Sequence, residues 1–223
     1  MNLDYWVAMY TARGLTSLLC RIDDRSLKQV PLQGPLIVVC NHVNALELPV
    51  VFPRLHPRLI TGFAKSETWD NPILGPLFNI WDVIPIQRGQ PDITALRHGL
   101  RVLDQGKILA ITPEGTRSGN GRMQQGHPGI VTLGLHSGAP ILPLVYYGGE
   151  SFYRNIRRLR RTDFRVRVGQ PFRIASPRGR INAEMRRKIT DEIMFQMAIL
   201  LPPEYRGVYS DLSAASSEFL LLD

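Results

Sequence analysis

Cysteine is scarce: Cys20 and Cys40 are the only two in 223 residues, and neither belongs to a C-x-x-C pair. That excludes a disulfide framework and a cysteine zinc site, and makes a reducing compartment the expectation. Long apolar runs are lacking too, with no stretch of about 18 uncharged apolar residues to span a bilayer. The N-terminus has no basic segment followed by an apolar one, so no secretory leader is expected. Signatures of several enzyme classes are absent: no G-x-S-x-G elbow, no G-x-x-x-x-G-K-[ST] phosphate loop and no H-E-x-x-H helix. No Gly-rich dinucleotide fingerprint follows any predicted strand.

What is present describes a globular chain of one-domain size, 44% hydrophobic and 21% charged, with no Ser/Pro/Gly-rich linker. Its charge is lopsided. The formal net charge is +8, which points to polyanionic partners: nucleic acid, an anionic lipid surface or phosphorylated substrates. The stretch "RNIRRLRRTDFRVRV", residues 154–168, holds seven arginines and no lysine. Few aromatics lie there beyond Tyr153 and Phe164, which disfavours base stacking and hence nucleic acid. Anionic headgroups, or plain solvent over a charged strand face, are the readings that stand.

Strand and helix patterns alternate along the chain. "GPLIVVCNH", "RLITGFAKSE", "WDVIPIQRG", "KILAIT", "GAPILPLVYYGG" and "DFRVRVGQPF" read as strands. In the last of these Phe164, Val166 and Val168 alternate with Arg165 and Arg167. Residues 5–19 suggest an amphipathic helix with Tyr5, Trp6, Met9 and Tyr10 to one side. Residues 92–105 suggest another, with Ile93, Leu96, Leu100 and Leu103 inward and Arg97 and Arg101 outward. A third begins near Asn182 and runs to Pro202. The expected fold is therefore α/β, a mixed or largely parallel sheet flanked by helices. In such sheets functional groups gather where strands end.

His42, Arg88 and Glu114 all sit at such places. In "NHVNALE" the imidazole and the carboxylate of Glu47 are five residues apart. On a continuous helix that spacing separates side chains by about 140°, but across a strand-to-helix turn it folds the carboxylate back onto the ring. A carboxylate at one ring nitrogen fixes the tautomer and leaves the other free to take a proton. With no nucleophile motif of its own, such a chain would take its nucleophile from the substrate, as a hydroxyl. In "TPEGTRSGNGRM" the residues Glu114, Gly115, Thr116 and Arg117 put backbone N–H groups, a hydroxyl, a carboxylate and a fork-shaped cation on one turn. Arg117 and Arg88 are the two candidate phosphate ligands.

Taken in order, these segments resemble the glycerolipid acyltransferases. "NHVNALE" is similar to that family's N-H-x4-D block, with Glu47 where the family usually has Asp. "VIPIQRG" resembles its second block, "PEGTRS" its third and "GAPILPLVYYG" its fourth, centred on Pro143. "GFAKSETWDNPILG", with Lys65, resembles the segment between the first two. The likeness runs from about residue 34 to 172.

The resemblance implies transfer of a fatty acyl group from an acyl thioester, either acyl-coenzyme A or acyl-carrier protein, to a lysophospholipid hydroxyl. 1-Acylglycerol-3-phosphate is the acceptor it favours. His42 would be the general base and Glu47 its orienting group, while Lys65, Arg88, Glu114, Gly115, Thr116, Arg117 and Pro143 would hold substrate. It implies no cofactor and no metal, since a thioester is already activated. The expected partners are the two substrates and an anionic membrane surface, with no nucleic acid. The expected setting is the cytoplasmic face of a membrane, with peripheral attachment. Residues 1–30 are expected to form an N-terminal helical segment, 31–206 the acyltransferase domain and 207–223 a tail. A relative that only binds anionic lipid, without turnover, is the alternative.

Overall fold

The computed structural model describes residues 3–87, 92–175 and 180–222. An N-terminal helix, α1 (Leu3–Leu19), leads into β1 (Cys20–Asp23) and the central strand β2 (Leu36–Cys40). Then come α2 (Glu47–Arg54), β3 (Ile60–Lys65), α3 (Leu74–Ile80), β4 (Ile84–Ile86), α4 (Ile93–Asp104) and β5 (Ile108–Ile111). The second half holds α5 (Gly129–Ser137), β6 (Ile141–Tyr147), α6 (Phe152–Ile156), β7 (Thr162–Val168), β8 (Phe172–Ile174), α7 (Ala183–Ala198) and β9 (Leu220–Leu222).

The strands form one sheet in the order β1-β7-β6-β2-β5-β3-β4, with β8 against β6 and β9 against β8. Strands β6, β2, β5, β3 and β4 are mutually parallel, whereas β7 runs antiparallel to β6. The expected mixed, largely parallel α/β sheet is therefore what the chain forms.

Helices cover both faces, so the central strands are apolar throughout rather than alternating. In β2, Leu36, Val38 and Cys40 pack under α1 and α2, while Ile37 and Val39 pack on the opposite side with α4, α5 and α7. Because the five parallel strands point the same way, their C-terminal ends share one edge. The segments after β2, β3, β5 and β6 all leave the sheet there, which brings distant motifs together.

Two helix faces differ in part from the sequence expectation, although Leu96, Leu100 and Leu103 of α4 do lie in or against the core. Helix α4 buries Ala95, Gly99, Val102 and Leu103, and Ile93 is 60% exposed. The close face is the one with small residues: a Cβ on Gly99 would lie 3.0 Å from Phe63 and 3.1 Å from Leu109. Helix α1 turns Met9 and Thr16 inward, and Tyr10 joins Leu3, Val7 and Leu18 on an exposed stripe.

At the other end, the chain after α7 lies back across the domain. The buried Glu192 accepts from Ser216 Oγ and from the backbone N–H groups of Glu218 and Phe219, and β9 pairs with β8.

Candidate active site

Where β2 ends, two asparagines fix the loop that carries His42. Asn41 copies a strand backbone: its Nδ2 donates to Tyr146 O at 2.9 Å and its Oδ1 accepts from Tyr146 N at 3.0 Å. Asn44 Nδ2 donates to Gly149 O at 2.7 Å. Both are buried, so all three bonds are made where water cannot compete.

Glu47 opens α2, where a carboxylate meets the positive end of the helix. Its Oε1 accepts from the N–H groups of Val43 at 2.9 Å and Asn44 at 2.6 Å. The other oxygen, Oε2, lies 3.5 Å from His42 Nδ1. That is ion-pair distance, yet Nδ1 is buried and makes no hydrogen bond. One oxygen thus anchors the loop and the other faces the imidazole, an arrangement that needs only a small shift to become a base dyad.

The third motif is tied to the first. Ser118 N donates to His42 O at 2.7 Å and Gly119 N to Val43 O at 3.1 Å. Glu114 is 2% exposed and its carboxylate bridges two backbone amides, accepting from His42 N and Gln124 N at 2.8 Å each. Burial pushes its pKa up, and these two N–H groups and the nearby His42 pull against that. Gly115 turns the chain with φ at +66°, and a Cβ there would also press on His127 at 3.1 Å.

A cavity of about 360 Å³ opens at this edge of the sheet, with His42 and Glu47 in its wall and Lys65, Thr116 and Arg117 around it. Lys65 and Arg117 are exposed, and among the described residues neither side chain has a carboxylate or hydrogen-bond partner. Phe63, Leu77, Phe78 and Trp81 make another wall apolar. A narrower pocket of about 100 Å³ adjoins it, sharing His42, Glu47, Leu48, Phe63 and Thr112, and runs in between the sheet and α2. Cys40 lines that inner pocket, but burial pushes its thiol up to about 12, which keeps it protonated and non-nucleophilic.

Of the residues singled out from sequence, His42, Glu47, Lys65, Thr116 and Arg117 therefore meet at one cavity. Glu114 and Gly115 do not line it. Glu114 spends both oxygens on backbone, so it shapes the His42 loop rather than touching substrate. Pro143 lies elsewhere: it sits in β6 beside Val39, with its ring close to Gly169. Arg88 falls outside the described residues, although β4, which leads to it, ends at the same edge. Gln124 N–H and Ser118 N–H reach Glu114 and the His42 loop, while the Gln124 side chain donates to Thr116 O and Ser118 Oγ accepts from Gly121 N; neither residue was singled out from the sequence. Asn41 and Asn44 did, as turn-favouring residues on either side of His42.

Residues 21–147 match the model of the acyltransferase family. The chain belongs to the acyltransferase family. Among the relatives it matches, a 1-acyl-sn-glycerol-3-phosphate acyltransferase of Limnanthes alba is 34% identical over 134 residues, 59% of this chain and 45% of that protein. One from Bacillus subtilis is 24% identical over 124 residues, 56% of this chain and 61% of that protein. The match thus spans about half the length of these relatives. In fold the chain is similar to the 1-acyl-sn-glycerophosphate acyltransferase PlsC of Thermotoga maritima. That likeness has a TM-score of 0.60 at 20% identity and covers 85% of this chain and 76% of the other.

Proposed function

We propose that the protein moves a fatty acyl group from an acyl thioester to the free hydroxyl of 1-acylglycerol-3-phosphate, with His42 as general base. The observation that carries this reading is one cavity in which an imidazole, backed by a buried carboxylate, faces the same space as Lys65 and Arg117, two cations without a partner among the described residues. His42 takes the hydroxyl proton as the oxygen attacks the thioester carbonyl. Glu47 stabilises the imidazolium that forms. The tetrahedral intermediate then expels the thiolate, which leaves as the free thiol with that proton, and the acceptor gains an ester.

The N–H groups of His42, Val43 and Asn44 are taken by carboxylates, and those of Gly115, Ser118 and Gly119 by carbonyls. Thr116 N–H and Arg117 N–H have no acceptor among the described residues, which makes them the candidates for holding the oxyanion. Lys65 and Arg117 hold the acceptor's phosphate, and Arg88 joins them on the strength of its motif. The apolar wall and inner pocket receive the acyl chain.

The acceptor is a membrane lipid, so the protein works at the surface of an anionic bilayer, on its cytoplasmic side. No helix among the described residues is long and apolar enough to cross a membrane. The exposed stripe of Leu3, Val7, Tyr10 and Leu18 on α1 supports peripheral contact.

The test is incubation with long-chain acyl-coenzyme A and lysophosphatidate, following free thiol and identifying the lipid product by mass spectrometry. Phosphatidate formed in step with thiol is expected. No acceptor-dependent thiol from either acyl-coenzyme A or acyl-carrier protein would overturn the reading.

Arg117→Ala separates the two ends of the site. A hydrogen bond to a charged group is worth about 1.5–3 kcal/mol, so KM for lysophosphatidate is expected to rise roughly 10- to 100-fold. KM for the acyl donor should stay within about twofold. Equal increases for both substrates would remove Arg117 from the phosphate.

A further inference from the structure

The turn between α6 and β7 presents an apolar side chain in a way that packing does not explain. Leu159 is 97% exposed and adopts φ of +52°, a left-handed conformation that a Cβ disfavours. A bulky residue is normally found there only when its surroundings over-determine it, and such outliers concentrate at functional positions.

The turn is built rather than loose. Arg158 N and Arg160 N both donate to Asn155 O at 2.9 Å, and Leu159 N donates to Ile156 O at 3.1 Å. Asn155 Nδ2 ties the base to Thr162 Oγ1, and Arg161 grips the carbonyls of Ser17 and Cys20 at the end of α1. Beside Leu159, Tyr153 is 55% and Ile156 39% exposed, placing three apolar groups outward at three-residue intervals.

Arg154, Arg157, Arg158 and Arg160 surround them, all exposed. None of the four has a carboxylate partner among the described residues; Arg154 donates only to Ser151 Oγ. The turn also lies at the edge that carries the site. It follows β6, whose C-terminal end is the His42 edge, and Gly149 just ahead of it accepts from Asn44.

From this geometry we propose that residues 153–161 form a docking hook for an anionic bilayer. Leu159, with Ile156 and Tyr153, enters the headgroup layer while the four arginines engage lipid phosphates. Seated this way, the hook brings the mouth of the His42 cavity to the level of the headgroups. The proposal rests on the lipid-acyltransferase reading for its choice of partner, and its test reads the two apart.

The experiment is flotation of the full chain with phosphatidylglycerol-containing vesicles, beside phosphatidylcholine vesicles and a duplex oligonucleotide. Turnover on a short-chain lysophosphatidate kept below micelle formation is followed in parallel. Wild type is expected to bind the anionic vesicles, to leave them as salt rises and to bind the neutral ones far less.

Arg157→Glu with Arg158→Glu should weaken vesicle binding at least about 25-fold, taking each arginine near the surface as worth about fivefold. Leu159→Asp should weaken it at least about tenfold. Leu159→Gly is the control for a merely structural role. It relieves the left-handed backbone, so Tm should hold or rise while vesicle binding still falls. All three variants should keep turnover on the soluble acceptor within about twofold.

Vesicle binding unchanged by Leu159→Asp and Leu159→Gly would overturn the hook. So would equal binding to neutral vesicles, or loss of duplex binding in the arginine variant without any vesicle binding. Absent turnover with intact, variant-sensitive vesicle binding would instead strike the proposed reaction and leave the hook standing.

Discussion

His42→Ala is expected to lower acceptor-dependent turnover by about 10³-fold, within the range typical for removing a positioned general base. The loss should fall on kcat, with KM for both substrates changed less than about threefold, because the imidazole acts in the transition state rather than in binding. Fold should survive. The His42 side chain is 19% exposed, and its backbone N–H, which Glu114 holds, remains in the Ala variant. Tm is therefore expected within about 2 °C of wild type, since Glu47 keeps both N–H partners of its Oε1. Turnover near the wild-type rate in His42→Ala would reject the base assignment.

Glu114→Ala is expected to fail in the opposite manner, through the scaffold first. It orphans two N–H groups, of His42 and Gln124, each costing about 1–3 kcal/mol when left buried without an acceptor. A loss of about 3 kcal/mol, or roughly 6–12 °C in Tm, is the expected result by thermal melting. Turnover should also fall about 10²-fold, since the His42 loop loses a tether and misplacements near 1 Å cost that much.

Glu114→Gln tests the charge. Its amide oxygen replaces one acceptor while its NH2 group opposes the second N–H, so stability should fall between wild type and Ala. The pH dependence has a definite sign. The folded carboxyl holds its proton above its ordinary value of 4.5, so the folded state binds more protons than the unfolded one in that window. Stability from this group is present below the ordinary value and is lost as pH rises through the raised one. Glu114→Gln, which does not ionise, should flatten that fall. A wild-type Tm in Glu114→Ala would show that the bridge does not hold the loop.

How much of this was legible in the sequence follows from what each residue touches. The central strands were readable because a strand covered on both faces is apolar throughout, as in Leu36–Cys40 and Ile141–Tyr147. On α4 the reading held for Leu96, Leu100 and Leu103, which lie in or against the core, but failed for Ile93 and missed Ala95 and Gly99, because large apolar residues dominate a periodicity count while the small ones make the close contact. The short β9 leaves little trace, since three residues pairing through backbone need no pattern of their own.

At the site, the His42–Glu47 spacing was readable once a turn was placed between them. The role of Glu114 was not: a carboxylate that binds main-chain amides reads the same as one that faces a ligand. Pro143 was decidable by parity. Leu142, Leu144 and Tyr146 share the α2 side of β6, so their neighbour Pro143 belongs to the other face.

In the proposed mechanism Glu47 orients His42 and stabilises the imidazolium formed in the reaction, with one methylene more than the Asp of the motif that "NHVNALE" resembles. The most direct measurement is acceptor-dependent thiol release by wild type, Glu47→Gln and Glu47→Asp under the same conditions. The Gln variant keeps an oxygen for Val43 N–H and Asn44 N–H but loses the charge beside Nδ1. We expect it to fall about 10²-fold in kcat, and the Asp variant to keep or exceed the wild-type rate. Glu47→Gln turning over as fast as wild type would contradict the dyad.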